Sequence, residues 1–525
     1  MDIETSKNGP TPELQPLAAS ARDRALHTDH LLHDLGRRSV RGGMIMIGAQ
    51  ALKVLAQFGS VIVLTRLLAP QVFGLIAMVA ALNTILDLVK ELGLSAPTIQ
   101  NTRITHAQVN ALFWINAAAG LLVTVALFLA APGIAAFYHQ PALIEITRWL
   151  SLTFLVNGLT TQHWALLRRQ MRFNIVAPLE TGAEITSFAV AIAMAVAGAG
   201  YWSLVAQRLV SSSLVFIGSW SFCRWRPSWP APTGGVKELF FFGASVAGSN
   251  VVAALARSVD QVLIGWVWGP GALGFYERAS KLLLLPINNL NVPLYSVAMP
   301  ALSRLAEDSG RYRRAYLEMV EKLAMVIMPL AAILAVTSDW VVALLFGAKW
   351  AAAAPLVACF GAAAIYQPIV LAVCLNYLPL NRPRELLRAT FTDAGITILS
   401  FIAGIHWGAL GVAASFAGVG LLIRVPVAFW LACRRGPVHV ADLVRAVQPS
   451  ALAALAAAGA VWLLRSFVFS AALPHPVTNL ALTLPVALAA AALAFCAMPR
   501  SRAALHTIVK FPAALRGTAK QGWQP

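Results

Sequence analysis

The sequence predicts an all-α integral membrane protein of about fourteen transmembrane helices, built as two parallel-repeat six-helix lobes plus two extra C-terminal helices. Three observations carry this. The chain is 58% hydrophobic and only 12% charged, where a soluble domain carries about 25% charge. Its apolar residues fall into runs of about 20, the length that crosses a bilayer. One early stretch also recurs at a constant offset of 200 with no gap: Gly43 matches Gly243, Gly48 matches Gly248, Pro70 matches Pro270 and Gly74 matches Gly274.

Taken in order, residues 1–40 are polar, with Pro10, Pro12 and Pro16 followed by His27, His30 and His33. No apolar core of a signal peptide precedes Gly42, so this segment is expected to be a disordered cytoplasmic tail. Its histidines lack a second ligand cluster, and no metal site is expected there. Spans 1 to 6 are placed near 42–65, 72–94, 109–131, 143–166, 175–197 and 200–222, within an N-lobe of residues 41–223. A Pro-rich cytoplasmic connector follows at 224–236. Spans 7 to 12, near 238–266, 272–296, 318–338, 351–378, 386–404 and 407–431, make a C-lobe of residues 237–435. Span 8 contains Pro286 and Pro293 and is expected to kink. Spans 13 and 14, near 446–466 and 477–498, fill residues 436–499, and a second cytoplasmic tail covers 500–525.

The loop charges test this count independently, because cytoplasmic loops collect Lys and Arg. Basic loops hold Arg37, Arg38 and Arg41; Arg103; Arg168, Arg169 and Arg172; Arg224 and Arg226; Arg304 to Arg314; Arg382 to Arg388; Arg434 and Arg435; and Arg500 to Lys520. The intervening links hold only Arg66, Lys349 and Arg465. This alternation predicts that both termini are cytoplasmic. Spans 1 and 7 then enter the membrane in the same direction, so the lobes are parallel repeats about an axis along the membrane normal.

Several function classes are disfavoured. The net charge of +18 is dispersed over short loops, not gathered on a basic domain, so no nucleic-acid partner is expected. The five cysteines are scattered with no CxxC pair, and no HExxH or GxxxxGK[ST] pattern occurs. No metal, catalytic residue or cofactor is expected.

The candidate chemistry is charge inside the membrane, which is costly and marks a bundle interior or a watery pathway. Gln50, Lys53 and Gln57 fall at i, i+3 and i+7 on one face of span 1. Asn250 and Arg257 occupy the repeat-equivalent positions of Gln50 and Gln57 on span 7. Span 8 returns with Arg278 and Lys281. Lys53, Arg257, Arg278 and Lys281 are therefore expected to converge on a central cleft, with Asp260 as the nearby anion. An alternative is internal ion pairing, Arg257 with Asp260 and Glu277 with Lys281. Lys53 has no acid on its own helix, and Asp87 and Glu91 on span 2 are its candidate partners.

The run Asp260-Gln261-Val262-Leu263-Ile264-Gly265, then Gly269, then Leu273-Gly274-Phe275-Tyr276-Glu277-Arg278-Ala279, carries a family resemblance. So do Met299 to Leu305, Leu345 to Trp350 and Gly200 to Val205. Over residues 40–435 the chain resembles the polysaccharide transport branch of the MOP exporter superfamily, the Wzx-type and WzxC-like flippases. The resemblance implies a MOP/MATE-like fold. It also implies a translocase that turns undecaprenyl-diphosphate-linked oligosaccharide repeat units from the cytoplasmic to the periplasmic leaflet for exopolysaccharide, capsule or lipopolysaccharide assembly. A polysaccharide polymerase and a chain-length regulator are the partners it implies, besides the bilayer.

The residues fit such a cargo. Arg and Lys are natural partners of a diphosphate, and Gln50, Gln57, Asn250 and Trp266 are candidate glycan contacts. Asp260 is the candidate site of a coupling Na⁺ or H⁺, with the membrane potential as an alternative driving force. A multidrug antiporter of the same superfamily is the competing function, disfavoured by a net basic cleft. A membrane glycosyltransferase or polymerase is a second, disfavoured by short outward links without paired carboxylates.

Overall fold

The computed structural model describes residues 35–91, 98–99, 104–229, 258–283, 298–467 and 476–498. Among these residues there is no strand. The first helices are α1 (Leu35–Leu67), α2 (Pro70–Glu91), α3 (His106–Tyr138), α4 (Leu143–Arg169), α5 (Phe173–Val196) and α6 (Trp202–Phe222). Residues 258–283 are helical and form α7. They are followed by α8 (Ser309–Val336), the short α9 (Ser338–Leu345), α10 (Ala354–Cys374) and α11 (Pro383–Gly404). Next come α12 (Gly408–Val419) and α13 (Val425–Cys433), joined through a π-helical turn at Gly420–Arg424. The chain closes with α14 (Val440–Phe467) and α15 (Pro476–Ala497).

Eight helical stretches among the described residues are long and apolar enough to cross a bilayer, and Pro70–Ala81 is a shorter apolar helix. Each expected span has a helix, or the described part of one, at its place. Spans 7 and 8 both fall in α7, where Gly269 adopts a left-handed φ of 77° that a side chain would resist. The kink expected at Pro286 and Pro293, and both expected tails, lie outside the described residues.

Several helices that follow each other in the chain pack side by side, among them α3 with α4, α5 with α6 and α14 with α15. Between α3 and α4 the backbones nearly touch: a Cβ on Gly120 would lie 2.6 Å from the Phe154 carbonyl oxygen, and one on Gly158 2.6 Å from that of Asn116. Small residues at such crossings are the usual device of membrane helices, which gain packing contacts where no hydrophobic effect drives them together. The extra pair attaches through α14. Its Ala453, Ala457 and Val461 are buried against Met325 and Ile333 of α8 and against Ala487, Ala491 and Phe495 of α15.

The 200-residue register reappears as a contact. A Cβ on Gly74 would lie 1.7 Å from the Pro270 carbonyl oxygen, and one on Gly274 1.9 Å from that of Pro70. The N-terminal turn of α2 and its counterpart after Gly269 therefore cross backbone to backbone, each supplying the glycine that the other's proline turn needs. This reciprocity is what two parallel repeats about a shared axis produce. The crossing lies at the links that the sequence reads as poor in basic residues.

Other contacts close the same side. Trp350 Nε1 donates to the Thr65 carbonyl at 2.7 Å, and Arg66 Nη2 to that of Leu344 at 2.5 Å. The Trp350 ring, wholly buried, also packs edge-on to Phe73 and Phe275. One hydrophobic core accordingly runs across both lobes there, joining Leu64, Phe73 and Met78 to Leu273, Tyr276 and Phe360.

Candidate functional site

Toward the basic side of this crossing the lobes part around an open cavity. Gln57, Ser60, Val61 and Leu64 line it from α1, at the i, i+3, i+4, i+7 spacing of one helical face. Phe73, Ile76, Ala77 and Ala80 contribute from α2, Phe188 from α5, and Leu204, Gln207 and Arg208 from α6. Glu277, Arg278 and Lys281 complete the wall from α7.

The polar end is built around one carboxylate. Glu277 is buried, with its side chain only 5% exposed. Arg278 Nε lies 3.0 Å from its Oε2, and Lys281 Nζ pairs with its Oε1 one turn further on. A carboxylate this buried is tolerated because two cations flank it. The Arg278 guanidinium also stacks 4.1 Å from the centre of the Phe73 ring, which fixes its plane. Lys281 is 44% exposed and Arg208 is exposed, so both reach open space. Arg208 has no carboxylate partner among the described residues. Three cations against one carboxylate leave the cavity net positive, with the surplus on its open side.

The sequence-derived site residues divide as follows. Gln57, Arg278 and Lys281 meet in this cavity. Gln50 is exposed on α1 and does not line it. Lys53 also lies outside the lining, with its Nζ 2.8 Å from Glu180 Oε1 on α5. Among the described residues its partner is Glu180, because α1 packs along α5; the side chains of Asp87 and Glu91 lie outside the described residues. Asn250 and Arg257 fall outside the described residues. Asp260 is buried but does not line the cavity. It accepts hydrogen bonds from Tyr276 Oη and from the Gln261 backbone N–H, both at 2.8 Å. Trp266 stacks on Phe137 at 5.8 Å instead of facing the cavity. The i,i+4 pairing of Glu277 with Lys281 does form.

Sequence reasoning missed Arg208 and Gln207. Their signal was present, two polar residues in succession within an otherwise apolar span, but no spacing tied α6 to the cleft.

With this geometry established, comparison with known proteins places the chain. The family described as polysaccharide biosynthesis protein matches residues 63–355, more than half of the sequence. The chain belongs to that family. Among individual members of known name, it is 29% identical to the teichuronic acid biosynthesis protein TuaB of Bacillus subtilis (strain 168), over 66% of this chain and 72% of that one. It is 26% identical to the lipopolysaccharide biosynthesis protein WzxC of Escherichia coli (strain K12), over 56% and 60%. The succinoglycan biosynthesis transport protein ExoT of Rhizobium meliloti (strain 1021) is 24% identical, over 62% and 65%. In this polysaccharide biosynthesis protein the fold is similar to that of the lipid II flippase MurJ in an inward closed conformation. The TM-score is 0.65 at 12% identity, over 87% of this chain and 98% of that one.

Proposed function

We propose that this protein is a flippase that moves diphosphate-linked lipid oligosaccharides from the cytoplasmic to the periplasmic leaflet of the bacterial inner membrane. The observation that carries the reading is the cavity itself. It lies between two lobes sealed against each other on one side, and it offers Arg208, Arg278 and Lys281 against a single carboxylate. A diphosphate brings about two negative charges, and arginine holds phosphate oxygens in bidentate geometry. The surplus positive charge disfavours cationic drugs as cargo. Gln57, Gln207 and Ser60 line the same wall as neutral hydrogen-bonding groups suited to sugar hydroxyls.

The basic loops set the cytoplasmic side, so the Gly74–Gly274 crossing is periplasmic and the described state faces inward. Both termini are then cytoplasmic. Alternating access requires that crossing to part while the basic ends of the lobes approach. The membrane potential assists, since two uncompensated negative charges leaving a negative-inside cell gain about 4–5 kcal/mol per 100 mV. No coupling ion is needed on this ground. The named relatives in teichuronic acid, lipopolysaccharide and succinoglycan biosynthesis support a polysaccharide precursor as cargo. A polymerase and a chain-length regulator are the proposed downstream partners.

The test is charge removal in cells that depend on this protein for polymer export. Each charge-assisted contact contributes about 1.5–3 kcal/mol, so Arg208→Ala and Arg278→Ala are each expected to lower export about tenfold or more. Lipid-linked repeat units should accumulate in the inner leaflet, with the variants inserted at normal levels. Normal export by both variants would sink the reading.

A further inference from the structure

A second basic cavity lies away from the lobe interface, where α8 and α14 begin. It opens to the surface and is lined by Gly310, Arg313, Arg314, Leu317, Asp442 and Arg445. We propose that Arg313, Arg314 and Arg445 bind the phosphate of an anionic phospholipid headgroup, which bridges the C-lobe to the accessory pair α14–α15.

The cavity has fixed and free parts. Asp442 is buried, and its two oxygens are both engaged: Oδ1 accepts from Arg313 Nη2 at 2.5 Å and Oδ2 from the His439 backbone N–H at 3.0 Å. Its charge is therefore spent in aiming Arg313. Arg314 and Arg445 are exposed, and no carboxylate among the described residues pairs with either. The α8 N-terminus is not the anion site, because Asp308 already caps it, accepting from the Gly310 and Arg311 backbone N–H groups at 3.0 and 2.9 Å. What remains is two guanidiniums without a carboxylate, Arg314 with its Nε 3.4 Å from the Gly310 carbonyl oxygen, around a third held in place, from two different helices. α14 turns apolar within two turns of this point, from Ala446 into Ala453, whereas α8 does so only on its buried face, through Tyr316, Val320 and Ala324, with Glu318, Glu321 and Lys322 also in that stretch. The cluster thus sits at the depth where phospholipid phosphates lie, and basic pockets between helices at that depth suit anionic headgroups.

Binding can be read on the full-length protein in detergent by native mass spectrometry, titrating phosphatidylglycerol against phosphatidylcholine. A juxtamembrane arginine contributes about fivefold to such binding. Arg445→Gln alone is therefore expected to weaken retained phosphatidylglycerol about fivefold, and Arg314→Gln with Arg445→Gln about 25-fold. A control of equal charge loss on another basic loop, Arg384→Gln with Arg388→Gln, should leave it unchanged. Equal weakening in the control would overturn the proposal, since the effect would then be general charge. A wild type that shows no preference for phosphatidylglycerol would overturn it too. If inorganic phosphate alone displaces the lipid at millimolar concentration from the wild type and the control alike, the occupant is free phosphate and the headgroup assignment fails. The readout needs no cargo, so it is independent of whether the central cavity transports.

Discussion

Lys53 and Glu180 are each partly exposed, at 25% and 35% of their side chains, and their ion pair ties α1 to α5. A pair this wet is worth about 0.2–1 kcal/mol, so it adds little to the packing of α1, which carries Gln57 and Ser60, against α5. The exchange Lys53→Glu with Glu180→Lys is expected to keep export within about twofold of normal, given so small a pair energy. Lys53→Glu alone places two carboxylates together and should lower it well below that. Export lost equally in the exchanged protein would return Lys53 to the substrate path. Arg278 is different: burial, the Glu277 pair and the Phe73 ring all fix its guanidinium plane. Here the spacing of charges within one helix was a sufficient guide, because Glu277, Arg278 and Lys281 share a face. Lys53 misled because its partner lies 127 residues away, on a helix whose packing no local pattern encodes. Arg208 was illegible for the same reason.

At the level of helices, the α2 start and its counterpart after Gly269 form a seal whose tolerance is set by backbone atoms. Neither Gly74 nor Gly274 can accept a methyl group, because the obstacle is a proline carbonyl that cannot rotate aside. Gly74→Ala should therefore hold the lobes apart at this crossing without unfolding either. A cysteine at Ser60, buried on the cavity wall, is expected to be labelled by an impermeant reagent from outside in Gly74→Ala and protected in its absence. Protection in both proteins would refute the seal. The pairing was legible in outline, since the 200-residue register aligns these prolines and glycines. That they touch was not, because a repeat in sequence gives equivalence and not proximity. Trp350 escaped in the same way: its motif was visible, but its hydrogen bond to the Thr65 carbonyl crosses between lobes.

For the whole molecule, the order of spans came through because hydropathy and loop charge are both periodic and independent. Orientation is an expectation that rests on the second alone. In a cysteine-free background, a cysteine at His139, between α3 and α4, should react with an impermeant reagent from outside. One at Gln170, beyond Arg168 and Arg169, should not. The opposite pattern would invert the topology. The Gly74–Gly274 crossing has one more consequence at this scale. A passage that opens wide enough for an oligosaccharide must, for the rest of its cycle, hold back hydronium ions, or the cell loses the gradient on which its energy depends. Side chains make poor gaskets for that purpose, since they hop between rotamers and admit water. Two backbones in direct contact leave nothing to hop, so insulation here rests on the least deformable part of the polymer.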